Sequence, residues 1–195
     1  MTRVTHDAPT RHDGEVAHYC DFAPTHPVHE SYHASEYGFP TREETALFER
    51  LVLEINQAGL SWETILRKRS GFLAAYDGFD VAKVAAYGAA ERERLLSDVA
   101  IIRNRLKIEA AIHNAGVIYR MREEGGFDSW LASHHPLSKD EWVRLFKKTF
   151  HFTGGEITGE FLMSTGWIPG AHREDCPIAI RLSRASGAKR PRWLS

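Results

Sequence analysis

A carboxylate stands inside an apolar helical stripe, and that placement constrains the fold more than any other feature of the chain. Leu47, Leu51, Ile55 and Ala58 recur at the spacing that puts them on one helix face, at about 100° per residue. Glu54 lies on the same face, seven residues after Leu47, three after Leu51 and four before Ala58. A run of this period commits the segment to a helix packed on a core, and the acid in it must then find a partner, take up a proton or line a pocket. The bland reading is a structural Glu paired with a nearby Arg or Lys. The functional reading is an acid lining a site, because perturbed carboxylates gather at functional sites. Thr41 with Glu44 three residues on reads as a capping box, which predicts a helix start near Arg42. Gly59 closes the helix.

Helical signals continue along the chain. Ser61 is placed to cap a second helix through Trp62, Ile65, Leu66 and Arg69, and Asp80 to cap a short one over Val81, Val84 and Ala85. Glu91 to Ser97 forms another. A long helix from about Arg103 to Arg122 carries Ile108, Ala111, Ile112, Ala115 and Tyr119 at helical period. Gly125-Gly126 breaks the chain before a short helix with Phe127, Trp130 and Leu131. Ser138 and Glu141 make a second capping box, ahead of Trp142, Leu145 and Phe146. Ile157, Phe161, Leu162 and Thr165 form the last predicted helix, with Gly166 at its end. No stretch alternates apolar and polar residues over strand length, and no repeat appears. The fold class is therefore all-α, a single helical domain over 19–180. Residues 1–18 are polar and predicted to be disordered, and 181–195 form a basic tail with Arg181, Arg184, Lys189, Arg190 and Arg192 and no acid. Such a tail could touch phosphates, although most are merely solvated.

At 195 residues the chain can bury one sizeable core. No apolar run approaches the roughly 20 residues of a membrane helix, and the N-terminus lacks an apolar signal core, so a cytoplasmic protein is expected. The net charge of -1 gives no support by itself to a nucleic-acid partner. The only two cysteines, Cys20 and Cys176, point to metal binding or free thiols in a reducing compartment. Cys20 and His33 lie near the start of the chain; His172 and Cys176, four residues apart, lie near its end. Two thiolates and two imidazoles could close a tetrahedral shell around a structural Zn²⁺. The spacing matches no finger signature. With eleven histidines in the chain, two inert cysteines among ordinary imidazoles is the competing reading.

The run from Cys20 through His26-Pro27, Tyr32-His33 and Glu36-Tyr37-Gly38-Phe39-Pro40, followed by Leu53-Glu54 and Gln57-Ala58-Gly59-Leu60-Ser61-Trp62, resembles the bacterial DNA-3-methyladenine glycosylase I family. So do Leu66-Arg67-Lys68-Arg69, Phe79 to Ala85, Ile101 to Arg105, Phe150 to Gly154, and the His172/Cys176 pair. The resemblance covers about residues 20–177. It implies a helix–hairpin–helix DNA repair fold in which a zinc site joins the N- and C-terminal segments. The implied reaction is hydrolysis of the N-glycosidic bond of 3-methyladenine in double-stranded DNA carrying alkylated bases, performed by a monomer. By position, Cys20, His33, His172 and Cys176 match the zinc ligands. Glu54 matches the carboxylate that contacts the extruded base, and Trp62 and Tyr32 match pocket aromatics. The hairpin is expected over Arg92 to Ala115, its turn at Asp98 to Ile101 offering Val99, Ala100 and Ile101 to phosphate, with Arg103, Arg105 and Lys107 close behind.

Departures from the family pattern accompany the match. Ala100 and Leu106 stand where glycine is usual, His29 where a pocket tyrosine is usual and Tyr37 where tryptophan is usual. Ile55 and Asn56 replace glycine and glutamine. Alanine at 100 is expected to weaken or shift the DNA grip, and His29 with Tyr37 to alter the lesion range. Two other readings compete: a non-catalytic helix–hairpin–helix module that holds damaged DNA, and a zinc-dependent hydrolase. Four protein ligands leave the metal no open position for the latter. No lysine stands in the matched pocket block, so a Schiff-base lyase step is not indicated.

Overall fold

A computed structural model describes residues 18–194. Among the described residues there are eleven α-helices and no strand: α1 (Tyr19–Phe22), α2 (Glu30–Ser35), α3 (Glu44–Gln57), α4 (Trp62–Ala75), α5 (Val81–Ala85), α6 (Ala89–Ser97), α7 (Arg105–Met121), α8 (Gly126–His134), α9 (Lys139–Thr149), α10 (Gly155–Ser164) and α11 (Pro177–Ser183). No described helix is long and apolar enough to cross a membrane. Of the N-terminal segment expected to be disordered, all but His18 lies outside the described residues.

Several boundaries follow the expected chemistry. Ser61 caps α4 by accepting the Thr64 N–H, Asp80 caps α5, and Ser138 with Glu141 closes the capping box of α9. Gly59 takes a left-handed φ of 79° and turns the chain out of α3. The first capping box does not form. Glu43 is the N-cap of α3 and makes no side-chain cap bond. Glu44 instead reaches Arg122 at the far end of α7, with Nη2 2.5 Å from Oε1, so an ion pair between helices takes the side chain a local cap required. The long helix starts at Arg105 because the Asn104 side chain accepts the Lys107 N–H. Helix α11 was not expected and runs across the 180/181 boundary. Cys176 is its N-cap, Pro177 opens it, and Leu182 buries against the body. The tail beyond is not simply solvated: the Arg192 guanidinium lies 5.0 Å from the Trp167 ring centroid, and the Arg192 backbone N–H donates to the Gly166 carbonyl.

Helix α3 runs through the middle, packed by α4, α5, α7, α8 and α10. The apolar stripe extends nearly all round it: Leu47, Phe48, Leu51, Val52, Leu53 and Ile55 are buried, and so are Arg50, Glu54 and Asn56. Each large apolar side chain removed from water contributes roughly 1.5–3 kcal/mol, so this helix is held by packing on every side. A second aromatic core of Phe127, Trp142, Phe146, Phe150 and Phe161 joins α8, α9 and α10.

Lys107 corrects the expectation that it faces DNA. It is buried in the first turn of α7, and its Nζ donates to the carbonyls of Asn56 at 2.8 Å and Ala58 at 2.6 Å. Those carbonyls end α3 and have no intrahelical partner. The lysine thus caps the C-terminus of the central helix, where a cation also complements the helix dipole. Lys107→Ala leaves both carbonyls without this donor. It is expected to cost about 2 kcal/mol, a fall in Tm of about 4–8 °C in a chain of this size. A thermal melt matching wild type would refute the capping role.

Candidate functional site

Glu54 is 1% exposed, one turn from the end of α3. Its charge bears on three phenols, those of Tyr19, Tyr32 and Tyr37. Burial is the first cause that pushes each of them above the ordinary tyrosine range, and the Glu54 carboxylate adds to it. The rings form a continuous wall. Trp62 and Tyr32 have centroids 5.2 Å apart, Tyr32 and Tyr37 5.7 Å, and Tyr37 and Tyr19 5.1 Å. Trp62 opens α4 directly after the Ser61 cap, so the turn at Gly59 that ends α3 also sets this ring beside α2. His29 is buried on the outer side of Tyr19, whose hydroxyl lies 3.1 Å from His29 Nδ1. Glu54, Trp62, Tyr32 and Tyr37 therefore come together, and His29 joins them through Tyr19. Neither Tyr19 nor Arg50 was singled out from the sequence. Tyr19 had one available signal, its place next to Cys20.

Arg50 lies one turn before Glu54. It donates to the Tyr32 hydroxyl and to Glu36 Oε2 at 3.1 Å, with its guanidinium 4.7 Å from the Tyr32 ring centroid. Arg69 on α4 bonds the other Glu36 oxygen at 2.6 Å and Glu49 at 2.8 Å. This ladder ties α2, α3 and α4 together and fixes the Tyr32 ring. It also holds the Glu36 carboxyl below the usual range against the opposing effect of burial.

The two cysteines and two histidines converge from opposite ends of the chain. Their ligand atoms all lie within 4.8 Å of one another. Cys20 Sγ is 3.5 Å from His172 Nδ1, and Cys176 Sγ is 3.7 Å from His33 Nε2 and 3.8 Å from His172 Nδ1. His172 Nε2 is 2.7 Å from the Tyr37 carbonyl; with its hydrogen there it donates to that oxygen and turns Nδ1 toward the sulfurs. Burial brings the His172 imidazole down to about 4 and pushes the Cys20 thiol up to about 12, so in the absence of a cation the imidazole is neutral and the thiol protonated at neutral pH. Tyr32 precedes His33 in α2 and Tyr37 bonds His172, so the cluster and the aromatic wall share their backbone.

The hairpin residues lie apart from both groups. Val99, Ala100 and Arg103 are exposed at the α6–α7 turn, and Ile101 turns into the core. Asp98 accepts the Ala100 N–H at 2.8 Å, and Lys68 Nζ bonds the Val99 carbonyl at 2.8 Å. Ala100 is not among the residues with positive φ, so its backbone does not require glycine. The small residue this contact demands is on the facing helix: a Cβ at Gly71 of α4 would lie 2.5 Å from the Ala100 carbonyl oxygen and 2.8 Å from its Cβ. Leu106 is 68% exposed on the first turn of α7.

The 3-methyladenine DNA glycosylase I (TAG) from Staphylococcus aureus, solved to explain its 3-methyladenine recognition, superposes with a TM-score of 0.71 at 32% identity, covering 82% of this chain and 95% of that one. DNA-3-methyladenine glycosylase 1 of Escherichia coli (strain K12) is 42% identical over 169 residues, 76% of this chain and 90% of that protein. The DNA-3-methyladenine glycosylase of Haemophilus influenzae is 31% identical over 178 residues, 81% and 96% of the two chains. The methyladenine glycosylase family model matches residues 22–143, and this chain belongs to that family.

Gly38 joins the two halves of the site. Its φ is 79°, and a Cβ there would lie 2.8 Å from Ala171 Cβ and 3.1 Å from His172 Cδ2. Gly38→Ala adds backbone strain and presses on the segment that carries His172. The expected loss is about 1–3 kcal/mol. Chemical denaturation that leaves stability unchanged would exclude this close approach.

Proposed function

We propose that this chain is a DNA glycosylase that hydrolyses the N-glycosidic bond of 3-methyladenine in double-stranded DNA after the base has been swung out of the stack. The observation that carries this reading is the carboxylate of Glu54, 1% exposed beside a wall of aromatic rings. An alkylated adenine is positively charged. Its bond to C1′ is already weakened, because the bonding electrons neutralise the ring as they leave with it. Water adds to C1′ and releases a proton to solvent, the base departs neutral with the bonding pair, and the pocket has a smaller barrier to lower than for an intact base.

The roles divide by chemistry. The faces of Trp62, Tyr32 and Tyr37 favour a flat cation. Glu54 accepts a hydrogen bond from the base and selects it. In a dry pocket a bond to a charged acceptor is worth about 1.5–3 kcal/mol. Lys107, which reaches the end of α3 from α7, is committed to the carbonyls of Asn56 and Ala58, which supports hydrolysis by water rather than through a Schiff base. The α6–turn–α7 element acts as the helix–hairpin–helix that holds the DNA backbone, with exposed Val99, Ala100 and Arg103 at its tip. Its substrate places the enzyme in the compartment that holds the DNA.

Cys20, His33, His172 and Cys176 fit a structural Zn²⁺. Two sulfurs and two ring nitrogens face a common centre, and the Tyr37 carbonyl orients the His172 ring from behind. With four protein ligands the ion supplies a cross-link and no reacting group. The residues around it pin the ends of the chain behind Tyr32 and Tyr37.

Two measurements test this assignment. Wild type should release free 3-methyladenine from methylated duplex DNA, and Glu54→Gln should slow release by about 10- to 150-fold while duplex binding holds. If wild type binds but releases nothing, the chain is a DNA-holding module instead. Cys176→Ser should lose bound zinc and melt at least as far below wild type as Lys107→Ala does. Unchanged zinc content and Tm would remove the structural ion from the account.

A further inference from the structure

Next to the aromatic wall lies a second group of side chains of metal-ligand type, outside the roles given above to Glu54, Trp62, Tyr32 and Tyr37. His26, His29 and Glu63 each offer one ligand atom, and these atoms lie within 4.8 Å of one another. They share no residue with the Cys20 cluster. The turn before α2 builds the pair of imidazoles: the N–H groups of His29 and Glu30 both donate to the His26 carbonyl, at 3.1 Å and 3.0 Å, and Pro27 stiffens the bend. The two rings pack with centroids 4.6 Å apart. Glu63 reaches them from the first turn of α4, immediately after Trp62.

We propose that His26, His29 and Glu63 bind a divalent first-row transition-metal ion such as Zn²⁺ or Co²⁺, with an open coordination position. Two imidazoles and one carboxylate suit these borderline ions rather than Mg²⁺ or Ca²⁺, which prefer an all-oxygen shell. The outer contacts are those a ligand set needs. His29 is 1% exposed, and in the tautomer that gives the Nδ1 hydrogen to the Tyr19 hydroxyl, Nε2 keeps the lone pair a metal takes. The Arg67 guanidinium grips Glu63 Oε1 at 2.8 Å and 2.6 Å, fixing the carboxylate on this side of α4. His26 is half-buried, and its Nδ1 accepts a long 3.3 Å bond from the Val28 N–H, a weak contact that a metal can replace. Three protein ligands leave at least one position for water, unlike the closed set of the Cys20 cluster. The site bridges α2 to α4 across the face that carries Trp62, and through Tyr19 it touches the wall beside Glu54.

Cobalt distinguishes the two centres, because only a site containing cysteine gives a thiolate-to-cobalt charge-transfer band in the near ultraviolet. CoCl₂ titrated into full-length protein carrying one equivalent of zinc, enough for the four-ligand cysteine cluster alone, should produce a saturable visible band at one equivalent with no thiolate band. His26→Ala and Glu63→Gln should each abolish that band while retaining wild-type helical circular dichroism and the zinc bound as purified. The proposal is overturned if wild type gives no saturable band, if the band carries thiolate character because cobalt has exchanged into the cysteine cluster, or if the folded variants bind cobalt as wild type does. The readout is independent of base release, so failure of the glycosylase reading and failure of this site are separable.

Discussion

Keeping one carboxylate out of water organises this protein. A buried acid costs several kcal/mol unless its surroundings compensate or it gives up its charge. Arg50, one turn away on α3, is joined to Tyr32 and Glu36. In the proposed reading the substrate adds its own charge to the surroundings of the acid. A base carrying positive charge gains from Glu54 what a neutral base does not, and the aromatic faces beside it add to the same preference. Selection for damage is then electrostatic before it is steric.

Such a site works only if its walls do not relax around the acid. Three separate constraints hold them. The Glu36–Arg69–Glu49 ladder fixes α2 against α4. Lys107 closes the end of α3 from the first turn of α7, so the helix carrying Glu54 is joined to the hairpin by two charge-assisted hydrogen bonds. The convergence of Cys20, His33, His172 and Cys176 ties sequence-distant segments to the backbone of Tyr32 and Tyr37. That closure is possible because Gly38 lacks the Cβ that would collide with Ala171 and His172.

Much of this was legible in the sequence, and the failures share a cause. Period, caps and breakers located the helices from α3 to α10, because those signals are local, while the short helices α1, α2 and α11 were not expected. Ser61, Asp80 and Ser138 act within their own turns, and Glu54 declared itself by sitting on a face that should be apolar. Where a side chain had a choice between a local and a distant partner, the sequence did not tell them apart. Glu44 left its capping box for Arg122, Lys107 turned inward to α3, and Arg192 lay back on Trp167. Helix α11 was missed because it is a single short element held by Leu182 and by cations on the body, with too few apolar positions to show a period. The ligand set was visible only as residue types. Its closure depends on long-range packing, which spacing along the chain does not encode.

At the α6–α7 turn a departure from the family pattern is accommodated by the other side of a contact. Alanine stands at position 100 where glycine is usual, and glycine would permit positive φ. The turn adopts no such φ there, and its close approach is to α4, where Gly71 provides the space. What the contact requires is the absence of side-chain bulk at the point where α4 meets the turn, and either partner can help supply it. With Gly71 facing it, the methyl of Ala100 is accommodated and the Val99 carbonyl stays within reach of Lys68. The exposed tip is thus set by α4, the helix that opens with Trp62. In the proposed reading α4 links Trp62 of the base wall to the turn that meets the DNA backbone, so a shift at either would be transmitted to the other.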